Sequence, residues 1–217
     1  MEMQLALSET PGRDVGRKDT DPVDVLRANT YRLLARLLAA PVPRDLLEML
    51  RRIDGSGEAG GTNDAIAMAR AWQTLRIAGE RATVEGIDDE YHDLFIGIGR
   101  GELVPYGSWY MTGFLMDRPL ALLRRDLSAL GIEREADVHE PEDHVSALCE
   151  AMSLVIESAG EIPLERQQKF FFDHLAPWMG RFFADLQQAR SAKFYLAVGQ
   201  LGELFIGVET KYLDMAV

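Results

Sequence analysis

The chain has 217 residues, 47% of them hydrophobic, and sets 35 acidic side chains against 23 basic ones for a net charge of −12. That is material for one large domain or two small ones with a full core, and no run approaches the ~18 uninterrupted apolar residues of a membrane span. The acidic balance speaks against binding a phosphate backbone, so no nucleic-acid partner is expected. The lone cysteine, Cys149, rules out a disulfide framework and any multi-cysteine zinc or iron–sulfur site.

Residues 1–20 are polar, hold Pro11, Gly12 and Gly16, and have Glu2 early with no apolar block behind it. They read as a disordered lead-in and not as a signal peptide, which places the protein in the cytoplasm. Asp21-Pro22 then gives a cap followed by proline at a first helical position, and Leu26, Thr30, Leu33, Leu34, Leu37 and Leu38 follow helical spacing until Pro41 and Pro43. A short helix over about 44–53, a glycine-rich loop over 54–63 and an alanine-rich helix over 64–79 come next. A helix over about 85–96 carries Ile87, Tyr91, Leu94 and Phe95 on one face. The stretch 96–107 holds four glycines and a proline and cannot be regular structure. Helices near 108–116 and 118–130 follow, the second capped by Asp117 and closed by Gly131. Three strong stripes complete the chain, over 141–159, 174–189 and 192–214. Alternating strand patterns are absent. The expectation is an all-α protein, a single-domain bundle of about nine helices from 21 to 217.

The charge is uneven. Residues 80–102 hold seven acids and two bases, and residues 133–165 hold ten acids and one base, so these two segments together carry −14. Such a field suits a basic partner; acidic helix faces kept for solubility are the bland account. Within the second segment, His139-Glu140-Pro141-Glu142-Asp143-His144 suggests a zinc-protease signature. Its histidines, however, lie five apart, about 140° around a helix, and cannot face one metal. A helix start at Pro141, with Glu142 and Asp143 in the first turn, accounts for the acids. Asp143-His144 beside the proline corner also offers a ligand an acceptor and a titratable ring. Gly97-Ile98-Gly99-Arg100-Gly101 follows a helix instead of a strand, which is the wrong setting for a dinucleotide fingerprint. Pro105-Tyr106-Gly107-Ser108-Trp109-Tyr110 places a potential helix cap, Ser108, among three aromatics around a bend, a composition found both in aromatic cores and in peptide-binding surfaces. No nucleophile–base–orienter set is evident, Cys149 sits on a buried stripe, and His92 and His174 have no matching partner.

Taken together, Tyr91-His92-Asp93-Leu94-Phe95-Ile96-Gly97, then Pro105 to Tyr110, then Glu140 to His144 resemble the TorD/DmsD/NarJ family of redox-enzyme maturation chaperones. So does the C-terminal stretch from Phe170 to Phe205. The resemblance covers about 22–210, and the E-P-x-D-H motif joined to the upstream P-x-x-S pattern carries its specificity. It implies a TorD-like helical fold and a cytoplasmic chaperone, with no enzyme activity and no cofactor of its own. The implied partners are the twin-arginine leader and the catalytic subunit of a molybdoenzyme, formate dehydrogenase-like or dimethyl-sulfoxide-reductase-like, held during cofactor insertion and before export. The implied leader-binding residues are Phe95, Pro105, Tyr106, Ser108, Trp109, Tyr110, Glu140, Pro141, Asp143 and His144; a homodimer exchanged about the 96–107 hinge is implied too. The acidic segments would then draw the leader's arginines, and Phe95, Tyr106, Trp109 and Tyr110 its apolar part. A small-molecule binder or enzyme using Asp143-His144 as an acid–base pair is the alternative.

Overall fold

A computed structural model describes residues 5–7, 21–53, 61–97, 100–135 and 138–215. Among these, ten α-helices run in chain order as α1 (Pro22–Ala39), α2 (Arg44–Arg51), α3 (Asn63–Arg81), α4 (Val84–Tyr91), α5 (Gly107–Thr112), α6 (Arg118–Ala129), α7 (Val145–Glu157), α8 (Leu164–His174), α9 (Met179–Gln188) and α10 (Phe194–Met215). The all-α class follows from the spacing of the apolar stripes, and the local signals explain several starts. Asp21 accepts the Val23 N–H at 2.8 Å ahead of α1, Thr62 and Thr83 cap α3 and α4, and Asp117 caps α6. Gly131, at φ +73°, closes α6 as expected.

Several elements differ from the sequence reading. α8 is the one helix beyond the nine expected, unanticipated because its buried stripe is Gln167, Phe170, Phe171 and His174, with polar residues at two of four positions. The helix expected from Pro141 begins only at Val145, and Pro141–His144 form a turn closed by His144 N–H to the Pro141 carbonyl at 3.1 Å. α5 stops at Thr112 instead of running to 116. Trp178, expected within a helix, precedes α9 at its cap position but is fully buried. Leu26, assigned to the α1 stripe, is 68% exposed. Leu5–Leu7, inside the segment expected to be disordered, form a strand β1 that pairs antiparallel with β2 (Ile132–Arg134). The other residues of that segment lie outside the described ones.

The contacts separate into two compact units where the sequence reading drew one domain from 21 to 217. One gathers Met1–Ala39 with Tyr106–Pro177, the other Ala40–Pro105 with Trp178–Val217. The first unit is built on α1 packed along α7, with α8 on α7 and α5, β2 and α8 around α6. On α7, Val145, Leu148, Met152 and Val155 are fully buried, and each such side chain contributes about 1.5–3 kcal/mol of transfer free energy. The second unit is centred on α10, against which α9, α3 and α4 pack. Trp178, Phe182 and Phe183 stack edge to face there, with ring centroids 6.0 and 5.1 Å apart.

Candidate functional site

In the first unit the loop before α5 and the loop before α7 are knitted together. Tyr106 and His144 pair as an isolated antiparallel bridge. The Gly107 N–H donates to the Asp143 carbonyl at 2.8 Å, and the Ser108 N–H donates to the Asp143 carboxylate Oδ2 at 2.8 Å. Asp143 therefore caps α5 from another part of the chain. Ser108, expected to be that cap, lies inside α5 and leaves the capping to Asp143. Residues Tyr106 to Tyr110 and Glu140 to His144 are thus brought together as one corner. Phe95 and Pro105 belong to the second unit, where the Phe95 ring packs on Tyr91 and Tyr195 at 5.0 and 5.6 Å.

His144 is the cap of α7. Its Nδ1 accepts the Ser146 N–H at 3.2 Å and lies 2.7 Å from the Ser146 hydroxyl, so the ring hydrogen belongs on Nε2. The Tyr106 ring meets the imidazole edge to face at 5.1 Å. Burial pushes His144 down to about 4, so the ring is neutral at physiological pH. Asp143 and His144 serve separate partners, one on each helix start. Among the described residues no hydrogen bond joins them.

Two polar atoms in this corner have no partner: the Ser108 hydroxyl and Asp143 Oδ1. Ser108 is 0% exposed and Asp143 is 3% exposed. A buried carboxylate oxygen without a donor costs about 1–3 kcal/mol or more, and a ligand N–H would relieve that cost. At the edge of the corner, Tyr106 Oη donates to the half-buried Glu140 carboxylate. Desolvation, with the Asp143 charge beside it, raises the Glu140 pKa. Glu142 is held from two sides, by Arg124 Nε at 2.8 Å and Arg134 Nε at 3.6 Å, so its role is to brace the turn.

Met111 near the end of α5 and Phe114, Leu115 and Met116 directly after it are exposed, Phe114 at 71% and Met116 at 73%. The sequence reading missed this apolar run by extending the helix through it. A glycine at 113, φ +82°, ends α5 and turns the segment outward. Exposed consecutive apolar residues of this size mark an interaction surface more often than chance.

Much of the acidic excess is spoken for within the fold. Glu90, 7% exposed, accepts the N–H groups of Lys193, Phe194 and Tyr195 at 2.7–3.1 Å and so caps α10. Glu102 accepts those of Arg190 and Ser191. The His139–His144 pair holds no common site: His139 is exposed and His144 is buried. His174, expected to lack a partner, places Nε2 2.9 Å from Asp126 Oδ2. Burial lowers the pKa of His174 although Asp126 pulls it upward; burial also pushes Asp126 up, and the hydrogen bonds and charges of His174 and Arg125 together outweigh it and hold Asp126 low. Asp126, Asp173 and His174 bring three potential ligand atoms within 4.8 Å of one another, the one grouping among the described residues that could hold a metal ion. Of the Gly97–Gly101 motif, Ile98 and Gly99 lie outside the described residues.

The fold is that of the redox enzyme maturation proteins. The solved structure described as such from Archaeoglobus fulgidus is 16% identical and matches with a TM-score of 0.52 over 90% of this chain and 99% of its own. The family model described as nitrate reductase delta subunit matches residues 62–184, more than half of the chain. The chain belongs to that family, the TorD/DmsD/NarJ group of redox-enzyme maturation chaperones. The TorD chaperone of Shewanella loihica is 25% identical over 210 residues, covering 90% of this chain and 96% of the relative. That of Vibrio atlanticus is 26% identical over 213 residues, covering 90% and 98%. Both corner motifs, 105–110 and 140–144, fall within the stretch that the family model matches.

Proposed function

We propose that this chain is a cytoplasmic chaperone for the catalytic subunit of a molybdenum-cofactor oxidoreductase, formate dehydrogenase-like or dimethyl-sulfoxide-reductase-like. It holds the subunit's twin-arginine leader during cofactor insertion and before export. The observation that carries this reading is the corner of the first unit, where an unmatched Asp143 oxygen and the Ser108 hydroxyl lie beside the neutral His144 and the Tyr106–Glu140 pair. An arginine guanidinium, with five N–H donors and no acceptor, has the chemistry to meet a carboxylate oxygen that lacks a donor. Pro141 fixes the turn that presents Asp143. Trp109 and Tyr110, both partly exposed, and the run Met111–Met116 offer apolar surface beside it for the leader's apolar segment. The chaperone carries no cofactor of its own in this reading, and the glycine-rich 96–107 segment is the hinge of any exchanged homodimer.

Calorimetry with a synthetic leader peptide tests the reading. Asp143→Asn keeps an oxygen for the Ser108 N–H and turns the unmatched acceptor into a donor. The fold should persist while leader affinity falls by about 1–3 kcal/mol. His144→Asn keeps a good cap for α7 and removes the ring; it should also weaken binding. Wild-type affinity in both variants would reduce the corner to two helix caps.

A further inference from the structure

The strand β2 lies next to this corner, and its partner is the chain's own segment Leu5–Leu7. The register is Leu5 opposite Arg134, Ala6 opposite Glu133 and Leu7 opposite Ile132. Ile132 is buried and Glu133 and Arg134 are exposed, so β2 is anchored through one side chain, and its pairing edge is taken by Leu5–Leu7. β1 also lies against α7. We infer that the β2 edge is a strand-accepting site for an extended apolar peptide. Leu5-Ala6-Leu7 fill it in cis as a stand-in for the apolar segment of the leader. The inference rests on the leader-binding reading above.

Three observations support it. First, main-chain pairing to a free edge accepts any extended segment whose side chains fit, and does so largely without regard to sequence. The tripeptide seen there is uncharged and made of Leu and Ala, the chemistry of an apolar leader segment and the opposite of the acidic residues that dominate the rest of the neighbourhood. Second, a two-stranded ladder of three residues is marginal by itself, so its occupant can exchange. Third, β2 is wired to the corner. Arg134 Nη1 donates to the Glu140 carbonyl at 3.2 Å, its Nε lies 3.6 Å from Glu142, and Glu140 accepts the Tyr106 hydroxyl. A leader whose cationic part reaches Asp143 therefore has an acceptor strand for its apolar part joined to the corner through Arg134, once Leu5–Leu7 are displaced.

The test locks the arm in place. In Ala6→Cys/Glu133→Cys the two cysteines are directly opposed on the ladder, a spacing suited to a disulfide, while Cys149 is buried with its thiol pKa pushed up and stays out of the exchange. The oxidised protein should bind a synthetic leader peptide containing the arginine pair and apolar segment at least ten-fold more weakly than the same protein reduced. The reduced protein should match wild type. Leu5→Pro/Leu7→Pro, which cannot pair fully, should bind the peptide three- to ten-fold more tightly than wild type. Equal affinity of oxidised and reduced protein would overturn the inference and leave the leader reading standing. Failure of every form, wild type included, to bind the peptide would overturn the leader reading and the ligand named here with it. A reduced protein that dimerises in sedimentation while Leu5→Pro/Leu7→Pro stays monomeric would assign the edge to the arm of a second copy, against the inference.

Discussion

Single side chains in this protein hold segments far apart in sequence, and Glu90 shows how much one of them carries. Its two oxygens accept three consecutive backbone N–H groups at the start of α10, 103 to 105 residues away. Those are groups a helix start cannot satisfy internally. Glu90→Ala should lower stability by about 2–3 kcal/mol, the range for losing charge-assisted hydrogen bonds together with a cap. A denaturant midpoint equal to wild type would show that water replaces the carboxylate without loss. This role was not legible in the sequence, where Glu90 is one of four acids between 88 and 93. Local signals were legible when cap and helix were neighbours, as for Asp117 and α6. They misled at Pro141-Glu142-Asp143, whose composition suits a first helical turn and an irregular turn equally well. There the decision rests on long-range partners: Ser108 for Asp143, Arg124 and Arg134 for Glu142.

At the scale of elements, the stripes that could be read are those whose buried positions are all apolar. α7, α9 and α10 announce themselves this way, whereas α8 hides behind Gln167 and His174. The glycines of α10 give a paired prediction. A Cβ on Gly202 would lie 2.3–2.5 Å from the ring of the fully buried Phe183, which has nowhere to go. Gly202→Ala should therefore destabilise the second unit by about 1–3 kcal/mol despite the better helix propensity of alanine. A Cβ on Gly207 meets nothing within 4 Å, so Gly207→Ala should stabilise by about 0.5–1 kcal/mol. Thermal unfolding of the two variants checks both signs at once, and two shifts in the same direction would mean that propensity, or packing, acts alone on this helix.

For the molecule as a whole, the buried imidazole of His144 sets a direction for acid sensitivity. The folded ring takes its proton only at about pH 4, against 6.5 for an ordinary histidine. Between those values the unfolded chain binds more protons, so stability falls as the pH is lowered through this window, by up to roughly 3 kcal/mol. His174, also held low by burial, acts in the same sense, and Glu140, held high, acts in the opposite one. Chemical denaturation between pH 7 and pH 4 should show a steep loss for wild type and a shallower one for His144→Asn. Parallel curves would mean that His144 reaches solvent before the fold opens. The division into two units, each assembled from two separated stretches of chain, was not legible because every helix carries the same kind of apolar stripe. Such stripes say that a helix is buried, not which other helix buries it.

The central claim is that the corner built from Tyr106–Tyr110 and Glu140–His144 receives the leader. Photo-crosslinking tests it most directly: a leader peptide with a photoreactive group next to its arginine pair is irradiated on the 217-residue chain, and the attachment points are mapped by mass spectrometry. The account predicts adducts within 106–116 and 138–144, suppressed by excess unlabelled leader and reduced in Asp143→Asn. Competed adducts confined to the surface around Gln187, Glu203 and Lys211, or to the cavity of about 190 Å³ beside Arg166 and Lys169, would contradict it.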